Sequence, residues 1–135
     1  MAEAVRLLDT SVILRYLTGD KSELQERAQQ VIESEQVLGI TAVAVLEAAY
    51  ALQHYYGYQR AAVVDALVDL VTWHNLVGIG IERDQLAAKL LLCRPSGTVS
   101  FGDALLAATA ASAGLDTIYT FDEKLSRADI TALIP

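Results

Sequence analysis

The sequence predicts an α/β protein, a three-layer α/β/α sandwich with a short, mostly parallel central sheet. Four apolar runs of strand length recur along the chain, at positions 5–8, 37–40, 76–79 and 117–119. Between these runs lie longer segments in which apolar residues repeat at helical spacing. Strands that are separated by helices usually pair in parallel and are covered by helices on both faces, so the order of the elements favours this sandwich.

Length and composition are typical of one globular domain. The chain has 135 residues, of which 53% are hydrophobic and 20% are charged, so we expect a single domain over residues 1–135. No apolar run approaches the roughly 20 residues that a membrane-spanning helix needs, and no signal-type segment is evident, so we expect a cytoplasmic protein without a membrane partner. The one cysteine, Cys93, excludes an intramolecular disulfide and a cysteine-rich zinc site.

The charge of the chain restricts the classes of partner. Ten basic and seventeen acidic residues give a net charge of −7. Nucleic-acid-binding modules usually carry a basic face, so this balance alone argues against such a module. The argument fails if some of the acids are metal ligands, whose charge a cation offsets, or if the main partner is a basic protein.

The first half of the chain alternates a strand with a pair of helices. The strand at 5–8 ends at Asp9, and apolar residues at helical spacing follow it to position 17. Residues 21–35 have an apolar inner face, which predicts an exposed amphipathic helix. After the strand at 37–40, Thr41 is a suitable N-cap for a helix that extends to about Gln53, and an amphipathic helix at 59–71 follows.

The second half repeats this pattern. Residues 82–93 predict a helix in which Lys89 faces the solvent. Ser100 opens an apolar helix, and Ser100 with Asp103 fits a capping box. After the strand at 117–119, Thr120 and Glu123 fit a second capping box for a final helix, and residues 130–135 predict an edge strand.

Four acidic residues are prominent because each lies near the start of a helix or interrupts an apolar helix. Asp9 and Asp122 come at the ends of strands, and Asp103 follows the N-cap of its helix. Glu47 lies within AVAVLEAAYAL, with no basic residue three or four positions away to pair with it. Each acid also has a local explanation, because Asp103 and Asp122 suit the positive end of a helix dipole and Glu47 suits a narrow exposed stripe.

One shared explanation covers all four acids. The carboxyl ends of parallel strands meet at one edge of a sheet, where ligands bind in α/β folds. Glu47 lies roughly 9 Å into its helix at 1.5 Å per residue, and from there its side chain reaches back toward that edge. Clustered carboxylates repel one another unless a cation holds them, and ligation by oxygen alone favours Mg²⁺ or Mn²⁺. The sequence therefore predicts a metal site at this edge.

The segments that carry the four acids resemble the motifs of the PIN-domain family. These segments are LLDTSVILRYL, VAVLEAAYAL, SFGDALLAATA and IYTFDEKL, and their order and spacing fit the family over essentially the whole chain. Within the family they are similar to the VapC-type toxins of type II toxin–antitoxin pairs. The resemblance implies a Mg²⁺- or Mn²⁺-dependent endoribonuclease that hydrolyses RNA phosphodiester bonds, forms a homodimer and is held inactive by a cognate VapB-type antitoxin.

The resemblance also implies a role for each acid. Asp9 and Asp103 match the surest metal ligands of the family. Asp122 matches a ligand that binds the metal directly or through water, and Glu47 matches the residue that orients or deprotonates the attacking water. The four acids together are therefore the candidate catalytic residues of this chain.

Four further residues are candidates for supporting roles. Ser11 and Thr120 match family positions whose hydroxyl groups hold the acids in place. Arg15, one and a half helical turns beyond Asp9, and Arg94, in the loop before the last apolar helix, are candidates for contact with RNA phosphates. Single basic residues are common on protein surfaces, so an ordinary surface charge competes with that interpretation at both positions.

Two other functions remain open from the sequence. In one, the chain acts mainly as a protein-interaction module that binds a basic antitoxin in a DNA-binding autoregulatory complex, with the apolar helices at 42–53 and 60–71 as its groove. The four tyrosines between positions 50 and 58 fit such an interface better than an RNA-stacking surface. In the other, Asp9 is the nucleophile of a phosphate-transfer domain. That chemistry is disfavoured, because Ser11 stands where a second Asp is expected and Lys124 falls within the last helix.

Overall fold

The computed structural model describes residues 4–19, 22–95 and 99–135, and in it helices alternate with short strands as the sequence predicts. The α-helices are α1 (Thr10–Thr18), α2 (Glu23–Ile32), α3 (Ala42–His54), α4 (Arg60–Val71), α5 (Arg83–Leu92) and α6 (Phe101–Ser112). The strands are β1 (Arg6–Leu7), β2 (Leu38–Ile40), β3 (Leu76–Gly78), β4 (Thr117–Tyr119) and β5 (Thr131–Leu133). Lys21, where the second helix was predicted to begin, lies outside the described residues.

All the strand pairs in the described part of the chain are parallel, which confirms the predicted α/β class. Strands β1, β2 and β3 form a three-stranded sheet in that order, with Arg6 in register with Leu38 and Leu38 with Leu76. Strands β4 and β5 form a separate two-stranded sheet. Strand β5 confirms the predicted strand in the tail. The short parallel strands and the helices between them are consistent with the three-layer sandwich.

The core is built mainly from helix faces and from one face of the three-stranded sheet. Helix α6 packs against α5 and α3, and α1 packs against α2 and α3. Small residues on α3 and α6, such as Ala48, Ala49 and Ala107, are fully buried and let these backbones approach closely. The largest fully buried side chains include Ile13, Ile40, Leu52, Leu67 and Leu90.

Side-chain caps fix where the helices that surround the candidate site begin. Thr41 accepts a hydrogen bond from the amide of Ala44, as predicted for the N-cap of α3. Ser100 accepts one from the amide of Asp103, as predicted for α6. Such caps satisfy amide groups that the first turn of a helix leaves unpaired.

The predicted capping box at Thr120 and Glu123 is wrong. The segment after β4 is a 3₁₀ helix, Glu123–Ala128, and its N-cap is Asp122, whose Oδ1 accepts from the amide of Lys124 at 2.9 Å. Thr120 instead accepts from the amide of Asp122 at 3.0 Å. The short spacing favours this arrangement, because an Asp side chain reaches an amide two residues ahead without a full helical turn.

Lys89, predicted to face the solvent, is buried. Its ammonium group donates to the carbonyl oxygens of Ala128 at 2.7 Å and Asp129 at 3.1 Å. These carbonyl groups lie at the end of the 3₁₀ helix, where a cation is favourable. A long-range partner of this kind leaves no trace in the helical periodicity of α5, which is why the sequence assigned Lys89 to the outer face.

Candidate functional site

Asp9 lies two residues after the end of β1 and is the N-cap of α1. Its Oδ2 accepts hydrogen bonds from the hydroxyl of Ser11 at 2.6 Å and from the amide of Ser11 at 3.1 Å. These two bonds, the hydroxyl first, lower the pKa of Asp9 from its usual value near 3.8. The side chain is exposed, so Asp9 presents an ionised and oriented carboxylate at the end of the strand.

Glu47 lies on α3 and lines a pocket together with Asp9. Asp9, Thr10, Thr41, Ala44 and Glu47 line this pocket of about 240 Å³, called here the acid pocket. The hydroxyl of Thr10 lies 3.4 Å from Oε2 of Glu47 and donates to it, and the carbonyl oxygen of Ala44 lies 3.5 Å from the same hydroxyl. Glu47 is exposed, so its position in the apolar helix corresponds to a narrow solvent-facing stripe beside Asp9.

The other two candidate acids lie at the starts of other elements. Asp103 is partly buried in the first turn of α6 and is close enough to Cys93 to raise the pKa of that thiol. Asp122 follows β4 and is exposed. The two predicted supporting hydroxyl groups act differently: that of Thr120 contacts the backbone of Asp122, whereas that of Ser11 contacts the carboxylate of Asp9.

The structure thus brings Asp9 and Glu47 to one pocket and leaves Asp103 and Asp122 outside it. Residues 4–19, 22–95 and 99–135 contain no group of three or more His, Cys, Asp or Glu side chains placed to hold a metal ion. Asp122 follows β4, which pairs with β5 in a different sheet from that of β1. The convergence of all four acids stays a prediction.

The donor chemistry of the acid pocket suits a hard divalent cation. Carboxylate and hydroxyl oxygens are the ligands that Mg²⁺ and Mn²⁺ prefer, and Asp9 is held in the ionised form that a metal requires. The positions of the carboxylates fit a metal site only in part, since two of the four predicted carboxylates line this pocket.

The two arginines proposed for RNA contact have different surroundings. Arg94 forms a two-point ion pair with Asp65, at 3.0 Å from Nε to Oδ1 and 3.1 Å from Nη2 to Oδ2, so its charge is already compensated. Arg15 lines a pocket of about 520 Å³ together with Arg6 and Arg27, called here the arginine pocket. Ser11 also lines the arginine pocket, which places it beside Asp9.

Sequence reasoning missed several residues around the site. Thr10 contacts Glu47 across 37 positions of sequence, and Arg6 and Arg27 join Arg15 only through the fold. The hydroxyl of Thr10 beside Asp9 was a visible signal, but nothing local connects Arg27 with β1. Residue pairs of this kind become visible only when α1, α2 and β1 are packed.

Exposed aromatic side chains border the acid pocket on its other side. Tyr50, Tyr55 and Tyr56 line a pocket of about 700 Å³, called here the tyrosine pocket, that also includes Thr10 and Glu47. All three tyrosines are exposed, and the ring centroid of Tyr50 lies 4.2 Å from that of His54. An aromatic surface of this kind is typical of protein interfaces.

Comparison with known proteins gives a match to a family model and a likeness to a solved structure. A family model described as the PIN domain matches residues 6–130. No curated protein sequence matches the chain significantly. A crystal structure of VapC20 from Mycobacterium tuberculosis, described as a toxin that cleaves the sarcin-ricin loop, is similar, with 18% identity, coverage of 98% of this chain and 100% of that chain, and a TM-score of 0.44.

Proposed function

Because the chain belongs to the PIN domain family, we propose that it is a Mg²⁺- or Mn²⁺-dependent endoribonuclease that hydrolyses RNA phosphodiester bonds. The observation that carries the proposal is the acid pocket at the end of β1, where the ionised carboxylate of Asp9 faces Glu47. Asp9, Asp103 and Asp122 would hold the metal ion. A bound ion would lower the pKa of a water molecule and offset the negative charge of the phosphate.

The chain's own residues orient the reacting groups. Ser11 holds the carboxylate of Asp9 in one orientation and in its ionised form. Thr10 donates to Oε2 of Glu47, which leaves Oε1 available to orient the attacking water and accept its proton. Thr120 fixes the backbone at Asp122, and Ser100 caps the helix that begins beside Asp103. Hydroxyl groups therefore set the position of every candidate acid.

The arginine pocket answers the objection that the chain is too acidic to bind RNA. The whole chain carries a charge of −7, yet the described residues that line this pocket include Arg6, Arg15 and Arg27 and no acid. An RNA strand that leaves the acid pocket past Ser11 would meet these three guanidinium groups, which favours phosphate binding. Arg94 would have to give up its ion pair with Asp65 before it could bind a phosphate.

The partners that we propose follow from the four motifs in register. The chain would be the toxin of a VapBC-type pair, homodimeric, cytoplasmic and held inactive by a cognate VapB-type antitoxin. The tyrosine pocket supports a protein partner on this side, since Tyr50, Tyr55 and Tyr56 are exposed next to Glu47. An antitoxin bound there would cover the acid pocket and would also serve the alternative role of the chain as half of a DNA-binding complex. None of the helices in the described parts of the chain is long and apolar enough to cross a membrane.

Cleavage of RNA by the purified chain tests the proposed activity. Structured and single-stranded RNAs are incubated with Mg²⁺ or Mn²⁺, or with EDTA, and cleavage is compared for wild type, Asp9→Asn, Asp103→Asn and Asp84→Asn. Asp84 is an exposed acid on α5, outside the acid pocket, and serves as the matched control. We expect metal-dependent cleavage by wild type and Asp84→Asn, and a loss of about 100-fold or more in the other two variants. Cleavage in EDTA, or undiminished cleavage by Asp9→Asn, would contradict the proposal.

A further inference from the structure

We propose that Arg60 is a positioning residue for Asp103, because its guanidinium group fixes the start of the helix that carries this acid. The functional part of the inference rests on the proposed nuclease activity. Arg60 is the first residue of α4 and is partly buried, far in sequence from α6. Its effect on Asp103 is exerted through the backbone at the start of α6.

Arg60 joins the two sides of the connection between α5 and α6. Its Nη1 donates to the carbonyl oxygen of Cys93 at 3.2 Å and to that of Val99 at 2.9 Å. Its guanidinium carbon lies 5.0 Å from the ring centroid of Phe101, the first residue of α6. The side chain of Arg60 therefore contacts Cys93 at the end of α5, and Val99 and Phe101 on either side of the N-cap of α6.

Cys93 completes the same network. Its Sγ lies 3.6 Å from the carbonyl oxygen of Ser100, the N-cap of α6, and it is fully buried. Both Arg60 and Asp103 act on the pKa of this thiol, so both charged groups lie near it. Burial is the larger effect and raises the pKa of Cys93 to about 11. Cys93 is therefore protected from thiol reagents in the folded chain, and its rate of modification reports when the connection between α5 and α6 opens.

The consequence for the site is geometric. Ser100 and Asp103 are joined by the cap hydrogen bond, so Asp103 moves whenever the backbone at residues 99–101 moves. Without Arg60, the carbonyl groups of Cys93 and Val99 lose a charged donor, and the start of α6 is free to open. A metal ligand that shifts by about 1 Å loses much of its contribution to metal affinity, since the groups that orient a ligand change that affinity by roughly 10–100-fold.

Arg83 supplies a matched control. Its Nη1 also donates to two carbonyl oxygens, those of Trp73 at 2.8 Å and Leu76 at 2.9 Å. These partners lie before and at the start of β3, and Arg83 lines neither the acid pocket nor the α5–α6 connection. Arg83→Gln therefore removes the same number and kind of hydrogen bonds as Arg60→Gln, but at a place remote from Asp103.

The test compares wild type, Arg60→Gln and Arg83→Gln in three measurements on the full chain. The first is the free energy of unfolding in denaturant. The second is the rate at which a thiol reagent modifies Cys93 under native conditions at pH 8, corrected for the unfolded fraction. The third is the affinity for Mn²⁺ at equilibrium. We expect both variants to be less stable than wild type. Only in Arg60→Gln do we expect Cys93 to be modified about tenfold faster than in wild type and Mn²⁺ to bind about tenfold more weakly.

Each other outcome overturns part of the inference. Equal rates of Cys93 modification in wild type and Arg60→Gln would show that Arg60 does not hold the connection. Faster modification with unchanged Mn²⁺ affinity would show that Arg60 is structural only and does not position Asp103. If wild type binds no Mn²⁺, the proposed metal-dependent activity fails, while the modification rates still decide whether Arg60 holds the start of α6.

Discussion

Asp9 shows how one side chain at the end of a strand serves both the fold and the site. It caps α1 and offers a carboxylate to the acid pocket, and both depend on Ser11 two residues ahead. A contact over two residues is fixed by local backbone geometry, so the sequence predicts it well. The contact of Thr10 with Glu47 spans 37 positions, and those of Arg60 span 33 and 39, so they depend on packing that no local pattern reveals.

The stability contribution of Asp9 depends on pH in a defined direction. Hydrogen bonds from Ser11 hold its pKa in the folded chain below the usual value near 3.8. At a pH above 3.8 the ionised carboxylate of Asp9 therefore stabilises the folded chain, and this contribution is lost as the pH falls through the lowered pKa. We expect Asp9→Ala to melt below wild type at pH 6, and the difference between their melting temperatures to narrow toward pH 3.

Asp9→Asn separates capping from charge. Asn is as good an N-cap as Asp, so we expect this variant to melt close to wild type at pH 6 and to show little of the pH dependence. Thermal melts of the three proteins between pH 3 and pH 7 measure the effect. A constant difference between wild type and Asp9→Ala over this range would contradict the assignment of the hydrogen bonds to an ionised carboxylate.

At the scale of elements, the periodicity of apolar residues predicted the helices and the strands, whereas it missed what holds their connections. The N-caps at Thr41 and Ser100 are local and were predicted. The buried side chain of Asn75 was not predicted, although its Nδ2 donates to the carbonyl oxygens of the last residue of α2 and of two residues between α2 and β2. Lys89 was assigned to the wrong face for the same reason, because its partners lie about 40 positions away.

Asn75 gives a stability prediction for the α2–β2 connection. Its Nδ2 lies 3.0 Å from the carbonyl oxygen of Ile32, 3.1 Å from that of Ser34 and 2.9 Å from that of Gln36. We expect Asn75→Ala to lower the free energy of unfolding by about 2–3 kcal/mol, because buried carbonyl groups lose their donor. Asn75→Asp has nearly the same shape but should lower the free energy of unfolding further. It places a carboxylate oxygen, which cannot donate a hydrogen bond when ionised, against three carbonyl oxygens. Unfolding in urea measures both, and a stable Asn75→Asp would contradict the described hydrogen bonds.

Gly78, at the end of β3, gives a second prediction at this scale. A Cβ there would collide with the backbone carbonyl group of Ile81, which cannot move aside as a flexible side chain does. We expect Gly78→Ala to destabilise the chain by more than about 3 kcal/mol or to prevent folding.

Gly102 is the matched control for Gly78. A Cβ at Gly102 has no atom within 4 Å outside its own helix, and alanine favours helices over glycine. Gly102→Ala should therefore be neutral or more stable by up to about 1 kcal/mol. Equal unfolding midpoints for the two variants would show that the turn after β3 is looser than described.

At the scale of the whole molecule, the distribution of charge and the division of the sheet decide how the site works. A net charge of −7 coexists with an arginine pocket beside Asp9, so the composition alone does not exclude the RNA binding that we propose. The parallel pairing of the strands followed from their alternation with helices. The separation of β4–β5 from β1–β3 did not, because strands of two or three residues carry too little pattern to specify which neighbours they pair with.

We propose that Asp9, Asp103 and Asp122 hold one metal ion beside Glu47, although of these four acids the structure places Asp9 and Glu47 in a common pocket. The most direct test is a titration of the full chain with Mn²⁺, comparing wild type with Asp9→Asn, Asp103→Asn, Asp122→Asn and the control Asp84→Asn. We expect wild type and Asp84→Asn to bind Mn²⁺ alike, and each of the other three substitutions to weaken binding about tenfold or more. Wild-type affinity in Asp103→Asn and Asp122→Asn would contradict the claim, because the metal would then be held without the acids of α6 and β4.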